Sequence, residues 1–341
     1  GHVSLRLRLI ILAVVCILAV GGALGYFLHA RSQDAAAQTS APNVTQTDDV
    51  AGILASDHVV FRSTALGQTY GRLAVVSLSD PAGPRAVLAP SCERVYATRS
   101  DGVCITATRG IVSDYQLVQL NARLNPTPRS SRDGLPSRAR LSPDGSLIAT
   151  TTFVVGHSYA SSSFSTETVI RTAAGRSLGN IESWHTTVDG APLTATDKNF
   201  WGVTFVDDNT FYATAASGGK TWLVKGDIAD KTMTSIHQTA ECPSVSPDRT
   251  RVAFKVRYGA PTAGTWHLAV LDLQTGSLTM LSEKHSVDDQ VEWLDNSRVL
   301  YSLPRTGTQA TTTDVWVVPA DGSGTPQVFI PQASSPAVVR I

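Results

Sequence analysis

The chain has 341 residues, 42% of them hydrophobic and 16% charged, and its 28 basic side chains balance its 28 acidic ones. That supplies a sizeable core, while the absence of net charge argues against a polyanion such as nucleic acid as partner. No long apolar stretch of 3.6-residue period follows residue 30, which disfavours alternating strands and helices.

Residues 9–28, LIILAVVCILAVGGALGYFL, are uncharged and mostly apolar, and their 20 residues match the length that spans a bilayer core as a helix. Arg6 and Arg8 precede the run, which assigns residues 1–8 to a cytoplasmic stub and everything downstream to the outside. A cleaved signal peptide is the competing reading, with Ala35-Ala36-Ala37 as its cleavage candidate. Such peptides usually carry apolar regions of about 7–15 residues, however, and here the candidate lies seven residues beyond Leu28. The expectation is a single-pass protein of the cytoplasmic membrane with an extracytoplasmic C-terminal domain. Residues 29–54 are small and polar and read as a flexible linker.

From residue 55 onward the chain repeats itself. HVVFRS (58–63), GRLAVVSL (71–78) and RAVLAP (85–90) are three short strands. Five strand–turn–strand units follow, with turn aspartates at Asp101, Asp144, Asp208, Asp248 and Asp295, separated by 43, 64, 40 and 47 residues. The turn chemistry is plain in RARLSPDGSLIATTT (138–152), where Pro143 and Asp144 pre-set the bend and Gly145 supplies a positive φ. Each unit is followed by a third apolar strand: YQLVQLN (115–121), ETVIRT (167–172), TWLVKGD (221–227), TWHLAVLDL (265–273) and DVWVVPA (314–320). Self-similarity near 40–50 residues with three or four strands per unit predicts a β-propeller; a sandwich with coincidental turns is the competing architecture. The first unit lacks an inner strand, and SSPAVVRI (334–341) has the pattern to supply it. Its insertion closes the ring and removes two open edges. The fold class is therefore all-β, a six-bladed β-propeller over 55–341 preceded by one N-terminal transmembrane helix.

The strings LSPDGSLIAT, VSPDRTRVAF and LAVLDLQTG resemble the repeat of TolB-like, WD40-like propellers. The longer strings RARLSPDGSLIATTTFVVGHSYASSSFSTET, NFWGVTFVDDNTFYAT, ECPSVSPD and SVDDQVEWLD are similar to actinobacterial membrane-anchored proteins labelled TolB-like translocation proteins. The resemblance spans roughly residues 55–341. It implies a six-bladed propeller that serves as a binding platform in the cell envelope, and it carries no catalytic residues over.

Motifs for chemistry are weak. GHSYA (156–160) departs from the nucleophile elbow G-x-S-x-G at Ala160 and lacks the helix that motif requires. SGGKT (217–221) reads as a hairpin turn, since the first glycine of a phosphate loop would fall at Thr214. The eight histidines form no H-x-H or H-x-x-x-H pair, and no cofactor or metal is expected. Asp288 and Asp289 precede an inner strand; calcium needs six to eight oxygens, so two adjacent carboxylates are too few, and hydrogen bonds to neighbouring backbone amides are the simpler role. With residues 99–102 as a hairpin loop, Cys104 faces Ala97 and Cys92 lies near Arg109, too far to bond, whereas a bulge would bring the pair together. The pairing of Cys92 with Cys104 stays open. Cys242 reads as a buried thiol.

The 64-residue interval holds more sequence than a blade needs, and its aromatic side chains make it the candidate recognition patch: His157, Tyr159, Phe164, Trp184, His185, Phe200 and Trp201. Phe200 and Trp201 start a strand, where aromatic rings more often pack than bind. Asp288 and Asp289 join the candidate binding set. Two functions follow. One is a non-catalytic envelope scaffold binding a protein or a cell-wall glycan through one propeller face. The other is a glycan lyase or hydrolase, which needs paired carboxylates in the channel, with Glu182, Asp189, Glu241, Asp289 and Glu292 as candidates.

Overall fold

The computed structural model describes residues 14–29, 44–108, 114–131, 136–155, 164–258 and 265–341. Six antiparallel sheets form the blades of a propeller. The inner strands of blades 2 to 6 are Arg94–Ala97, Pro136–Leu141, Asn199–Phe205, Glu241–Val245 and Glu292–Trp293, each followed by its own second, third and outer strand. In blade 3 the Asp144 carboxylate accepts hydrogen bonds from the Ser146 N–H and the Ser142 hydroxyl, both at 2.9 Å, which folds the predicted turn back on itself. Gly145 adopts φ +76°, and a Cβ there would lie 2.3 Å from the Asp101 carboxylate of the neighbouring blade. Blade 5 repeats the device with Ser246, Asp248 and Thr250.

Strands buried on both faces leave their apolar side chains between blades. Six clusters result among the described residues, one at each blade junction: Val60 and Leu73 against Val95, Val103 and Ile105 against Leu141, Ile170 against Phe200, Tyr212 against Phe254, Val270 against Trp293, and Phe61 against Leu300. The core is thus a ring of wedges around an axial channel.

The ring is closed by Ala333–Val339, which pairs antiparallel with His58–Ser63 as the inner strand of blade 1. Arg85 fixes the approach to this strand. Its guanidinium, with the residue 2% exposed, donates to the Gln332 carbonyl at 2.7 Å and to the Pro331 carbonyl, and lies 4.8 Å from the Phe61 ring centre. Asp314 accepts both arms of Arg305 and the Gln332 N–H, all at 2.8 Å. Beyond the strand, Arg340 and the Ile341 N–H bind Asp57.

Three expectations need correction. The linker ends earlier than residue 54: Thr47 N–H and Arg85 N–H exchange hydrogen bonds with Arg85 and Thr45 carbonyls, and the short helix Val50–Leu54, capped by Asp49, buries Ile53 against blades 1 and 2. The hairpin register of blade 2 places Val95, not Ala97, opposite Cys104, and Cys92 lies at the crossover from blade 1 with its N–H on the Gly71 carbonyl. The two cysteines are therefore close, with Cα atoms 5.4 Å apart, and are bonded. The surplus sequence after blade 3 is not a set of open loops. His185–Val188 and Ala191–Pro192 extend blade 4 outward, the first pairing parallel with Thr232–Gln238. Trp184 consequently lies inside the junction of blades 3 and 4, only 5% exposed, with its ring edge-on to Phe211 at 6.0 Å.

Residues 14–29 form a helix with exposed apolar side chains. No helix among the described residues is long and apolar enough to cross a membrane; residues 9–13 of the expected span lie outside them.

Truncation after Gln332 removes the buried Ala333, Pro336, Ala337 and Val339 and bares the edge of blade 1. At roughly 1.5–3 kcal/mol for each large apolar side chain, losing Val339 and uncovering Val60 and Phe61, which share its clusters, is expected to cost several kcal/mol in urea denaturation, and a truncated chain with the parent's midpoint would show that the ring does not depend on this strand. Trp184→Ala is expected to cost about 3–5 kcal/mol, the cavity range for a buried tryptophan, whereas a cost near zero would return Trp184 to the surface.

Candidate functional site

The inner strands border the axis, so their polar side chains reach the channel from the edges of the blades. In Arg94-Val95-Tyr96 and Arg138-Ala139-Arg140 the even-numbered residues line the channel, while Val95 and Ala139 belong to the core. Blade 6 contributes Asp289, Gln290 and Glu292, and the closing strand contributes Ser335 and Val338.

The channel has two vestibules and a neck. A cavity of about 540 Å³ opens on the face of the inner turns and takes residues from all six blades, including Tyr96, Arg99, Arg140, Arg249, Glu292 and Arg340. A second, of about 460 Å³, opens on the opposite face between Arg62, Tyr70, Arg94, Asp288, Asp289 and Thr313. Between them a space of only about 20 Å³ is bounded by Arg94, Arg138, Arg140, Asp289, Gln290 and Ser335. Gln290 narrows the neck by donating its amide to the Pro243 carbonyl at 2.8 Å and the Val203 carbonyl at 3.3 Å, which ties blade 6 to blades 5 and 4. Ser335 bridges both backbone groups of Val95.

The carboxylates predicted for catalysis are dispersed or engaged. Glu182 accepts from the Thr166 hydroxyl at 2.7 Å, and Asp189 accepts from the Trp222 indole at 2.9 Å, both away from the channel lining. Asp289 accepts the N–H groups of Gln290 and Ser302, each at 2.9 Å, the backbone role expected of a carboxylate before a strand. Asp288 pairs with Lys255; burial pushes its carboxyl up, and the ammonium together with the Arg138 and Arg257 charges more than offsets this, so it sits below its ordinary value. Glu241 is raised by burial, against the pull of Lys255.

Of the expected recognition patch, Trp184 and Trp201 are buried and His185 is exposed on the outer edge of blade 4. His157 and Tyr159 lie outside the described residues, as does GHSYA. Among the described residues no three His, Cys, Asp or Glu side chains gather as a metal site. Sequence reading overlooked the arginines of the neck. Their signal is the i, i+2 spacing of Arg138 and Arg140 on a strand whose intervening residue is apolar.

No protein-family model matches the chain, and no curated protein matches it. Solved structures do. TolB from Acinetobacter baumannii superposes with a TM-score of 0.58 at 14% identity, over 84% of this chain and 67% of that one. The chain folds as a TolB-like six-bladed β-propeller. A putative TolB from Agrobacterium tumefaciens gives a TM-score of 0.46 at 13% identity over 82% of this chain and 91% of that one, and a puromycin hydrolase 0.48 at 14% over 81% and 44%.

Within the TolB-like propeller, Glu292 has an unusual setting. Burial in the channel wall pushes its carboxyl up to about 7, against the opposing pull of the Arg140 guanidinium and the Val338 N–H. Among the described residues, the groups acting on it are Arg140 and the Val338 N–H. The native protein therefore keeps this proton to about pH 7, while the unfolded chain releases it near the ordinary value of 4.5. The native state binds more protons in that window, so stability falls as pH rises from 4.5 to 7. Glu292→Gln, which cannot ionise, is expected to match the parent at about pH 5 and to exceed it at about pH 7.5 by about 1–3 kcal/mol, since each pH unit separating the native and unfolded values is worth at most about 1.36 kcal/mol. An equal difference at both pH values in urea titrations would contradict this setting for Glu292.

Proposed function

We propose that the protein is a non-catalytic binding platform of the cell envelope, held to the cytoplasmic membrane by its N-terminal apolar segment and offering the propeller outside to an envelope protein or a cell-wall glycan. The observation that carries this reading is the 540 Å³ vestibule, built from all six blades and rimmed by Arg99, Arg249 and Arg340. Its size falls within the range of ligand clefts, about 300–1,000 Å³, and its polar groups converge from a rigid scaffold. The apolar run of residues 9–28 supports the anchor. The Cys92–Cys104 disulfide supports an oxidising compartment.

The alternative, a glycan lyase or hydrolase, requires a second carboxylate within roughly 5–10 Å of the proton donor. Glu292 is the candidate donor, and the groups acting on its charge are Arg140 and a backbone N–H, which favours binding over hydrolysis.

Arg99 and Arg249 are exposed at the rim. The double variant Arg99→Ala, Arg249→Ala is expected to melt with the parent and lose about tenfold or more in capture of the partner retained by the detergent-solubilised parent, the loss of two charge-assisted contacts. Undiminished capture would move the binding surface away from this mouth.

A further inference from the structure

The neck holds more positive charge than the protein neutralises. Arg94 comes no nearer than 4.0 Å to Asp289. Arg138 makes no hydrogen bond or ion pair with any described residue; burial lowers its pKa, and Cys242, Asp289 and Asp288, acting through longer-range charge, raise it overall. Arg140 lies 4.4 Å from the ring centre of Tyr96 and donates one long bond, 3.4 Å, to the Ala139 carbonyl. The neighbouring acids have other partners. Asp289 is occupied by two backbone amides and Asp288 by Lys255, while Glu292 holds its proton up to about pH 7. The crowding is felt within the cluster, since burial and the Arg138 charge both lower the Arg94 pKa. A guanidinium carries five N–H donors, so three of them in a confined space leave most of that capacity without a protein acceptor.

We propose that this neck is an anion site, in which Arg138 and Arg140, with Arg94 behind them, take the carboxylate of a ligand seated in the 540 Å³ vestibule. Two features select a carboxylate over a phosphate. The planar fork of a guanidinium matches a carboxylate edge in a bidentate pair. The space between the arginines, about 20 Å³, is close to that of a single water, which admits the flat tip of a carboxylate more readily than a tetrahedral phosphate. Tyr96 holds the Arg140 fork from behind, which lowers the entropy lost on binding. Ser335 and Gln290 line the same space with their polar groups directed to the backbone, so they shape the neck while the arginines supply its charge. The inference rests on the channel being the binding site, and adds the charge and chemical class of what enters it.

The test uses the full chain in a non-ionic detergent at low ionic strength, with citrate, inorganic phosphate and chloride compared at equal ionic strength by titration calorimetry and melting temperature. Citrate is expected to bind saturably and to raise the melting temperature above that reached in phosphate or chloride, as any ligand of the native state must. Arg138→Gln and Arg140→Gln are each expected to weaken citrate binding by at least about tenfold, the scale of one lost bidentate pair. Melting temperature and circular dichroism of both variants without citrate separate loss of the site from loss of the fold. Arg123→Gln, at an exposed outer turn of blade 2, should bind citrate as the parent does. No citrate effect beyond chloride, or full binding by Arg138→Gln and Arg140→Gln, would overturn the site, and phosphate binding more tightly than citrate would overturn its assignment to carboxylates. Partner capture that persists without any citrate response would refute the anion site alone and leave the envelope-platform reading standing.

Discussion

The structure depends on one strand pair, that of Ala333–Val339 with His58–Ser63. A propeller of six wedges has no other way to bury the open flanks of its first and last blades, because each apolar cluster is shared by two neighbours. The pairing joins residues 270 to 281 positions apart, so it carries a high loop-closure entropy. Arg85 and Asp314 offset that cost locally by fixing residues 331–332 just before the strand begins. A buried guanidinium is a poor stabiliser in isolation; here its burial, which brings its pKa down to about 10, is accepted because two backbone carbonyls need donors where the chain turns into the ring.

Closure also makes the channel. Ser335 and Val338 belong to the closing strand and face Val95 and Glu292, so the neck and the vestibule are complete only when the ring is. Stability and binding surface therefore share residues. The inner turns reinforce this coupling: Ser100 reaches the Asp144 carbonyl, Ser146 the Asp208 carboxylate, and Asp248 N–H the Asn296 amide oxygen, each from one blade to the next around the mouth. A mouth stitched in this way is a rigid rim, suited to presenting charged groups at fixed spacing.

The blade order, turn positions and closing strand were legible in the chain because they rest on local rules. Alternation marks strands, Asp and Gly mark turns, and an unpartnered first unit demands a strand from elsewhere. The aromatic patch was misread for the opposite reason. Trp184 follows a run of polar residues and looks like a loop residue, but its ring fills the wedge beside Phe211 once a second hairpin is laid on blade 4. Periodicity says nothing of an added parallel edge strand. Cys92 and Cys104 turned on a two-residue difference in hairpin register, which side-chain pattern alone left ambiguous.

An all-β ring of six units, the strand that closes it and the apolar stretch at its start are written in the period and chemistry of neighbouring residues. What stands at the axis depends on how the blades come together. Arg94, Arg138, Arg140 and Glu292 lie on three strands far apart in the chain, and each alone is an ordinary polar residue on an inner strand. Their charge matters because the ring brings them into one narrow space, where burial and the neighbouring arginines lower the Arg94 pKa and a carboxyl holds its proton to about pH 7.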